Sequence, residues 1–244
     1  MQYFFTKFLA STERATTFAF RMKSLAITPY QIFGGILFIM ALCFASSCQI
    51  IVLSGAARYA INEFSEKGNS FVVCSQLIER KKIDGILEKF AMYLNQYNST
   101  CQLFIIGEGE LKEKLQRMAQ TLGIAPNVIF TGKMTHDELL PILSKSKALL
   151  VNTVKDNNMI SIVEAIAVGT PIVTTYVPLN STYIKDYQLG IAKKQWDESD
   201  LNDVVSNSEM YIENCMKYRY KLSTKQRVEQ FLEIERERLD DGKK

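Results

Sequence analysis

The sequence predicts an α/β fold in which one parallel sheet is covered by helices on both faces. Three observations carry that reading. From residue 70 onward, short β-rich runs alternate with longer amphipathic runs. The short runs are almost continuously apolar, as strands buried on both faces are. Four loops with ligand-binding character each follow the end of such a run, where the crevice of an open α/β sheet lies. Strands are placed near 71–75, 102–106, 127–131, 147–152 and 171–175, with a sixth around Gly190-Ile191-Ala192.

Taken in order, residues 1–69 come before the sheet. No charge occurs between Lys23 and Arg58, and Ile32 to Ala45 is an apolar run of 14 residues. A membrane-spanning helix needs about 20, so a buried or interfacial helix is expected here in preference to a clean span. Arg14, Arg21 and Lys23 lie upstream of it, and would keep the N-terminus cytoplasmic if it did span. The charged and apolar zones begin too late for a cleaved signal peptide. Cys48-Gln49-Ile50-Ile51-Val52-Leu53-Ser54 reads as a short strand.

Phe71-Val72-Val73-Cys74 opens the sheet and runs into a cationic loop, Arg80-Lys81-Lys82. Gln102 to Ile106 is a buried strand entering Gly107-Glu108-Gly109, and the helix after it carries Leu111, Leu115, Met118 and Leu122 on one face before Gly123 closes it. Two glycines let a backbone approach a phosphate closely. The full dinucleotide pattern is absent, because Lys112 stands where its third glycine belongs. Asn127 to Met134 supplies the next strand. Thr135 and Glu138 form a capping box for the following helix, which Pro141 should kink. His136 is the one histidine of the chain, and with no metal-ligating or catalytic partner nearby in sequence it is read as a solvated residue at a helix start.

Lys155 to Val173 is the most informative stretch. Asp156 and Glu164 stand eight positions apart, polar residues open a short apolar helix, and Gly169-Thr170-Pro171 closes it. A helix starting near Asn158 would aim its unpaired N–H groups and positive dipole end at the crevice, where a diphosphate is stabilised. Glu164 would then lie about a turn and a half inside, and both acids could accept hydrogen bonds from one ligand's hydroxyls. On spacing alone, an ordinary connection with surface acids is an equal alternative. From Leu201 the chain is helical and increasingly charged. Ser223 to Gln226 make a second capping box, and Val228, Phe231, Leu232, Ile234 and Leu239 form an apolar stripe beyond it.

These landmarks together resemble the donor-binding domain of the retaining glycosyltransferases with the GT-B fold, the group 1 type (family 4) that builds many bacterial capsular and exopolysaccharides. That family carries an acid, seven residues, Glu-Ala, then Gly-(Thr/Ile)-Pro followed by two β-branched residues. Glu164-Ala165 and Gly169-Thr170-Pro171-Ile172-Val173 match in place, while the first acid, usually Glu, is the shorter Asp156. The family's Arg and Lys, five apart after the first strand, bind the donor phosphates. Lys81 occupies the Lys position and Gln76 the Arg position, which removes a fixed charge that Arg80 would have to turn inward to replace. The resemblance implies a Rossmann-like domain at 70–222, Glu164 on the ribose, and Asp156 with the backbone of Asn157, Asn158, Met159 and Ile160 on the donor sugar. It also implies Gly107 and Gly109 at the diphosphate and the backbone of Lys133 and Met134 at the base. Catalytic roles fall to Asp156, Glu164 and Lys81.

By that resemblance, residues 1–69 are a truncated N-terminal segment, too short for the family's acceptor domain, and 223–244 are a C-terminal helix. The expected function is sugar transfer from a nucleotide sugar to a glycan or lipid-linked acceptor in polysaccharide biosynthesis. The nucleotide-diphosphate sugar is a substrate, and no cofactor or metal is expected, in keeping with the lack of an Asp-x-Asp signature. Two further readings are a non-catalytic remnant and a split enzyme whose partner chain supplies the N-terminal domain; a membrane-anchored interaction protein is the alternative of another class. The slight net charge of +3 and the lack of a basic, aromatic-rich patch point away from nucleic acid. Five cysteines without paired metal spacings read as free thiols of a cytoplasmic protein, with association at the membrane face left open by the apolar run. Asn98-Ser99-Thr100 and Asn180-Ser181-Thr182 are glycosylation sequons by pattern only.

Overall fold

A computed structural model describes residues 67–222. The apolar run 32–45, the strand expected at 48–54 and the helix expected beyond 223 lie outside the described residues. Six strands form one parallel sheet: β1 (Ser70–Cys74), β2 (Gln102–Ile106), β3 (Val128–Gly132), β4 (Leu149–Leu150), β5 (Ile172–Thr175) and β6 (Gly190–Lys193). Their spatial order is β3-β2-β1-β4-β5-β6. This is the doubly wound order, and its direction reverses between β1 and β4.

The strands form where β-branched and aromatic side chains cluster, and the pleat sends alternate residues to opposite layers. Phe71, Val73, Leu103, Ile105, Leu150 and Val173 enter one core. Helices α1 (Ile83–Gln96) and α2 (Lys112–Thr121) close it together with α6 (Glu198–Ser206). Val72, Ile106, Leu149 and Ile172 enter the other core, under α3 (His136–Lys145), α4 (Ile160–Ala167), α5 (Ser181–Asp186) and α7 (Ser208–Tyr218). Each fully buried Leu, Ile or Phe contributes about 1.5–3 kcal/mol, so this two-layer core dominates the fold's stability.

Two expectations shift. The helix of the acidic stretch begins at Ile160 with Met159 as its N-cap, two residues later than Asn158. Glu164 is therefore its fifth residue, close to one turn in. Strand β4 contracts to Leu149–Leu150, because the chain after it leaves the ladder to build the site. Among the described residues no helix is long and apolar enough to cross a membrane.

Candidate functional site at the sheet reversal

The loops after β1 and β4 flank the reversal point, and a network of side chains and backbone locks them together. Thr153 Oγ1 and Val154 N–H both donate to the carbonyl of Arg80, at 3.1 and 2.9 Å. Asn152 Nδ2 donates to the carbonyl of Lys82 at 3.1 Å, while Lys89 Nζ donates to Asn152 Oδ1 at 3.1 Å. Buried Trp196 holds the end of β4 through Nε1–H to the Val151 carbonyl at 2.8 Å. Lys82 adopts φ +48, a left-handed conformation that a non-glycine residue keeps only under such constraint.

This frame brings Lys81 and Asp156 into a largely buried ion pair across the reversal. Asp156 Oδ1 also accepts the N–H of Asn157 at 3.0 Å. Sequence assigned these two residues to separate parts of a ligand, and the structure places them on each other. Gln76 is exposed at the rim, as is Arg80, whose side chain pairs with no charge among the described residues.

Glu164 is 3% exposed, within electrostatic reach of Cys74 at the end of β1, and among the described residues its Oε1 has no well-aligned hydrogen bond. His136 Nδ1 lies 2.7 Å from that oxygen, a close contact off the axis of a good N–H···O bond. Burial raises the Glu164 carboxyl above its ordinary value, and His136 partly opposes it. Cys74, at the end of β1, is pushed up to about 12 by burial and by Glu164, against a smaller lowering by Lys81. It is thus a neutral thiol within electrostatic reach of both pairs. The reading of His136 as merely solvated is corrected: its side chain is 53% exposed, yet it meets the acid across 28 positions of sequence.

Asn180 is the other residue that sequence reasoning passed over as a site element. Only 1% exposed, it accepts Met159 N–H at 2.9 Å and donates to the Met159 carbonyl at 3.1 Å. Of the four amides expected to face a donor, those of Asn157 and Met159 are therefore committed within the protein. Asn158 and Ile160 have no N–H partner among the described residues. The same burial removes Asn180 as a glycan acceptor in the folded chain.

The two glycines of the β2 loop are required by backbone, since a Cβ on Gly107 (φ +142) would sit 1.9 Å from the Ser75 carbonyl oxygen and one on Gly109 2.3 Å from that of Leu77. They seat this loop directly on the β1 loop, with Leu77 N–H bonded to the Glu108 carbonyl at 3.0 Å. Lys133 is exposed, whereas Met134 packs against the second core. No cluster of three or more metal-ligating side chains exists among the described residues.

Residues 58–220 match the family model described as Glycosyl transferases group 1. The lipopolysaccharide glucosyltransferase WaaG of Escherichia coli is 27% identical over 146 residues, 59% of this chain and 38% of that protein. The alpha-monoglucosyldiacylglycerol synthase of Streptococcus pneumoniae is 26% identical over 116 residues, 48% of this chain and 26% of its own length. The chain thus spans well under half of either curated relative. Among solved structures, Staphylococcus aureus TarM, crystallised with fondaparinux, alpha-GlcNAc-glycerol and UDP, superposes at a TM-score of 0.60. It shares 21% identity and is covered over 36% of its length by 70% of this chain.

Proposed function

The chain belongs to the glycosyl transferases group 1 family, and on that premise we propose that it binds a nucleoside-diphosphate sugar in the crevice between the β1 and β4 loops and passes the sugar to a glycan or lipid-linked acceptor. One observation carries the reading most: Glu164 is a buried acid with an oxygen that has no aligned donor among the described residues, at the end of the sheet where ligands of this topology sit. A pair of vicinal ribose hydroxyls supplies two such donors.

On this reading Lys81 leaves Asp156 to meet the diphosphate, aided by the amides of Asn158 and Ile160 at the start of α4, which have no partner among the described residues. Asp156 then turns to the sugar hydroxyls. Stabilisation of the departing diphosphate comes from this cation and these amides, and transfer proceeds with retention. The base lies along the backbone of Lys133 and Met134, with Gly107 and Gly109 keeping the neighbouring loop low enough for the diphosphate. Residues 70–222 form the donor domain. Val154 after β4, Ile160 at the start of α4, and Tyr176, Val177 and Leu179 after β5 are exposed, and support an apolar wall facing the acceptor. Residence at the cytoplasmic membrane face and a role in capsule or other polysaccharide synthesis fit this reading.

Titration of the purified chain with uridine and guanosine diphosphates and their glucose, mannose and N-acetylglucosamine conjugates tests it. Saturable binding by at least one diphosphate, tightened or retained in its sugar conjugate, is expected. Failure of every member of the panel to bind would remove the proposal.

A further inference from the structure

Glu164 accounts for itself only if its neighbour is included. Burial raises the pKa of the Glu164 carboxyl, and a neutral acid offers a ligand diol one poor acceptor where the ionised group offers two good ones. An imidazole at contact distance can take up the acid's proton when the ligand seats. We propose that His136 is a positioning residue of the donor site, holding on Nδ1 the proton that Glu164 gives up when the vicinal hydroxyls of the nucleotide's ribose settle on its carboxylate. This rests on the reading of the crevice as a nucleotide site.

Geometry supports it from several sides. Nδ1 lies 2.7 Å from Oε1, the oxygen that has no aligned donor among the described residues, so a turn of the half-exposed imidazole is enough to align the two for one proton to pass. The proton passes from Oε1 to Nδ1 and none is released. The imidazole is half exposed, which lets water stabilise its charged form. The start of α3 does not depend on it, because Glu138 caps the Thr135 N–H at 2.8 Å. Other titratable groups leave the exchange to this pair. Cys74 from β1 stays neutral, Lys81 is engaged by Asp156 in the free chain and by the diphosphate in the complex, and Asp137 and Glu138 on α3 itself are exposed.

His136 is the chain's one histidine, so its imidazole resonances report on the site without ambiguity. The experiment follows them by NMR against pH in the full chain, alone and with uridine diphosphate or its 2′,3′-dideoxy counterpart; the guanosine pair replaces these if calorimetry shows the chain prefers it. The ribose form is expected to move the imidazole midpoint upward by half a unit or more, and the dideoxy form to leave it unmoved. In Glu164→Gln the shift should vanish. His136→Asn should weaken the ribose form about threefold to tenfold at pH 7, with its loss of binding on the acid side starting at higher pH, and leave the dideoxy form unchanged. A wild-type chain that prefers ribose over dideoxyribose while its imidazole midpoint stays fixed, with His136→Asn binding as wild type at every pH, would overturn the inference but spare the nucleotide site. No binding of any of these diphosphates by the wild type would overturn both.

Discussion

At the scale of single residues, the Lys81–Asp156 pair decides how the crevice meets a charged ligand. Asp156→Asn frees the ammonium, so the bare nucleoside diphosphate should bind equally well or up to tenfold tighter, while the extra affinity conferred by the sugar should fall; calorimetry on both ligands separates the two effects. Lys67 makes a prediction about stability. Burial lowers its pKa to about 8, against a smaller raising by Cys215, while Nζ donates to the Ser144 carbonyl at 2.6 Å and to Thr170 Oγ1 at 3.0 Å. With the unfolded value near 10.5, the unfolded chain binds more protons between pH 8 and 10.5. Stability should therefore rise with pH across that window, by about 1–3 kcal/mol relative to Lys67→Met, as denaturant midpoints would reveal. Glu164 and Asp156 could be singled out as candidates in the sequence because the motif that carries them is local. The contacts Lys81–Asp156 and His136–Glu164 could not, since each joins segments brought together only by the sheet.

At the scale of elements, the β2 loop and the start of α4 owe their form to distant backbone. Gly107→Ala drives a Cβ into the Ser75 carbonyl and forces a strained φ, so a loss of more than about 3 kcal/mol is expected in thermal or denaturant unfolding. The sequence suggested that these glycines make room for phosphate; the packed carbonyls show a structural need that no local pattern reveals. The helix start illustrates the same point. Asn158 looks like a local cap, but the Asn180 side chain, 21 residues beyond Met159, grips the Met159 backbone and sets the boundary instead. Asn180→Ala should cost about 1–3 kcal/mol of stability by leaving buried backbone groups unpaired. It should also weaken nucleotide binding, because the loop bearing Asp156 loses its anchor. Circular-dichroism melts with parallel ligand titration would check both effects.

At the scale of the molecule, the five longer strand assignments and the sixth were legible because buried parallel strands are apolar, short and bounded by glycine and polar turns. The strand order was not, for a single sequence carries no record of which strands pair. That order places four of the candidate loops along one edge and turns scattered residues into a crevice with a buried acid at its foot. The central claim is that Glu164 grips the ribose of a nucleoside diphosphate in this crevice, the diphosphate being met by Lys81 and helix amides without a metal. Calorimetric titration of wild type and Glu164→Gln with the best-binding nucleoside diphosphate, in excess EDTA, tests it most directly. The account predicts wild-type binding that persists in chelator and a loss of about 1.5–3 kcal/mol, roughly tenfold to more than a hundredfold, in the folded variant. Equal affinity in both proteins, or binding that disappears with EDTA and returns with Mn²⁺ or Mg²⁺, would contradict it.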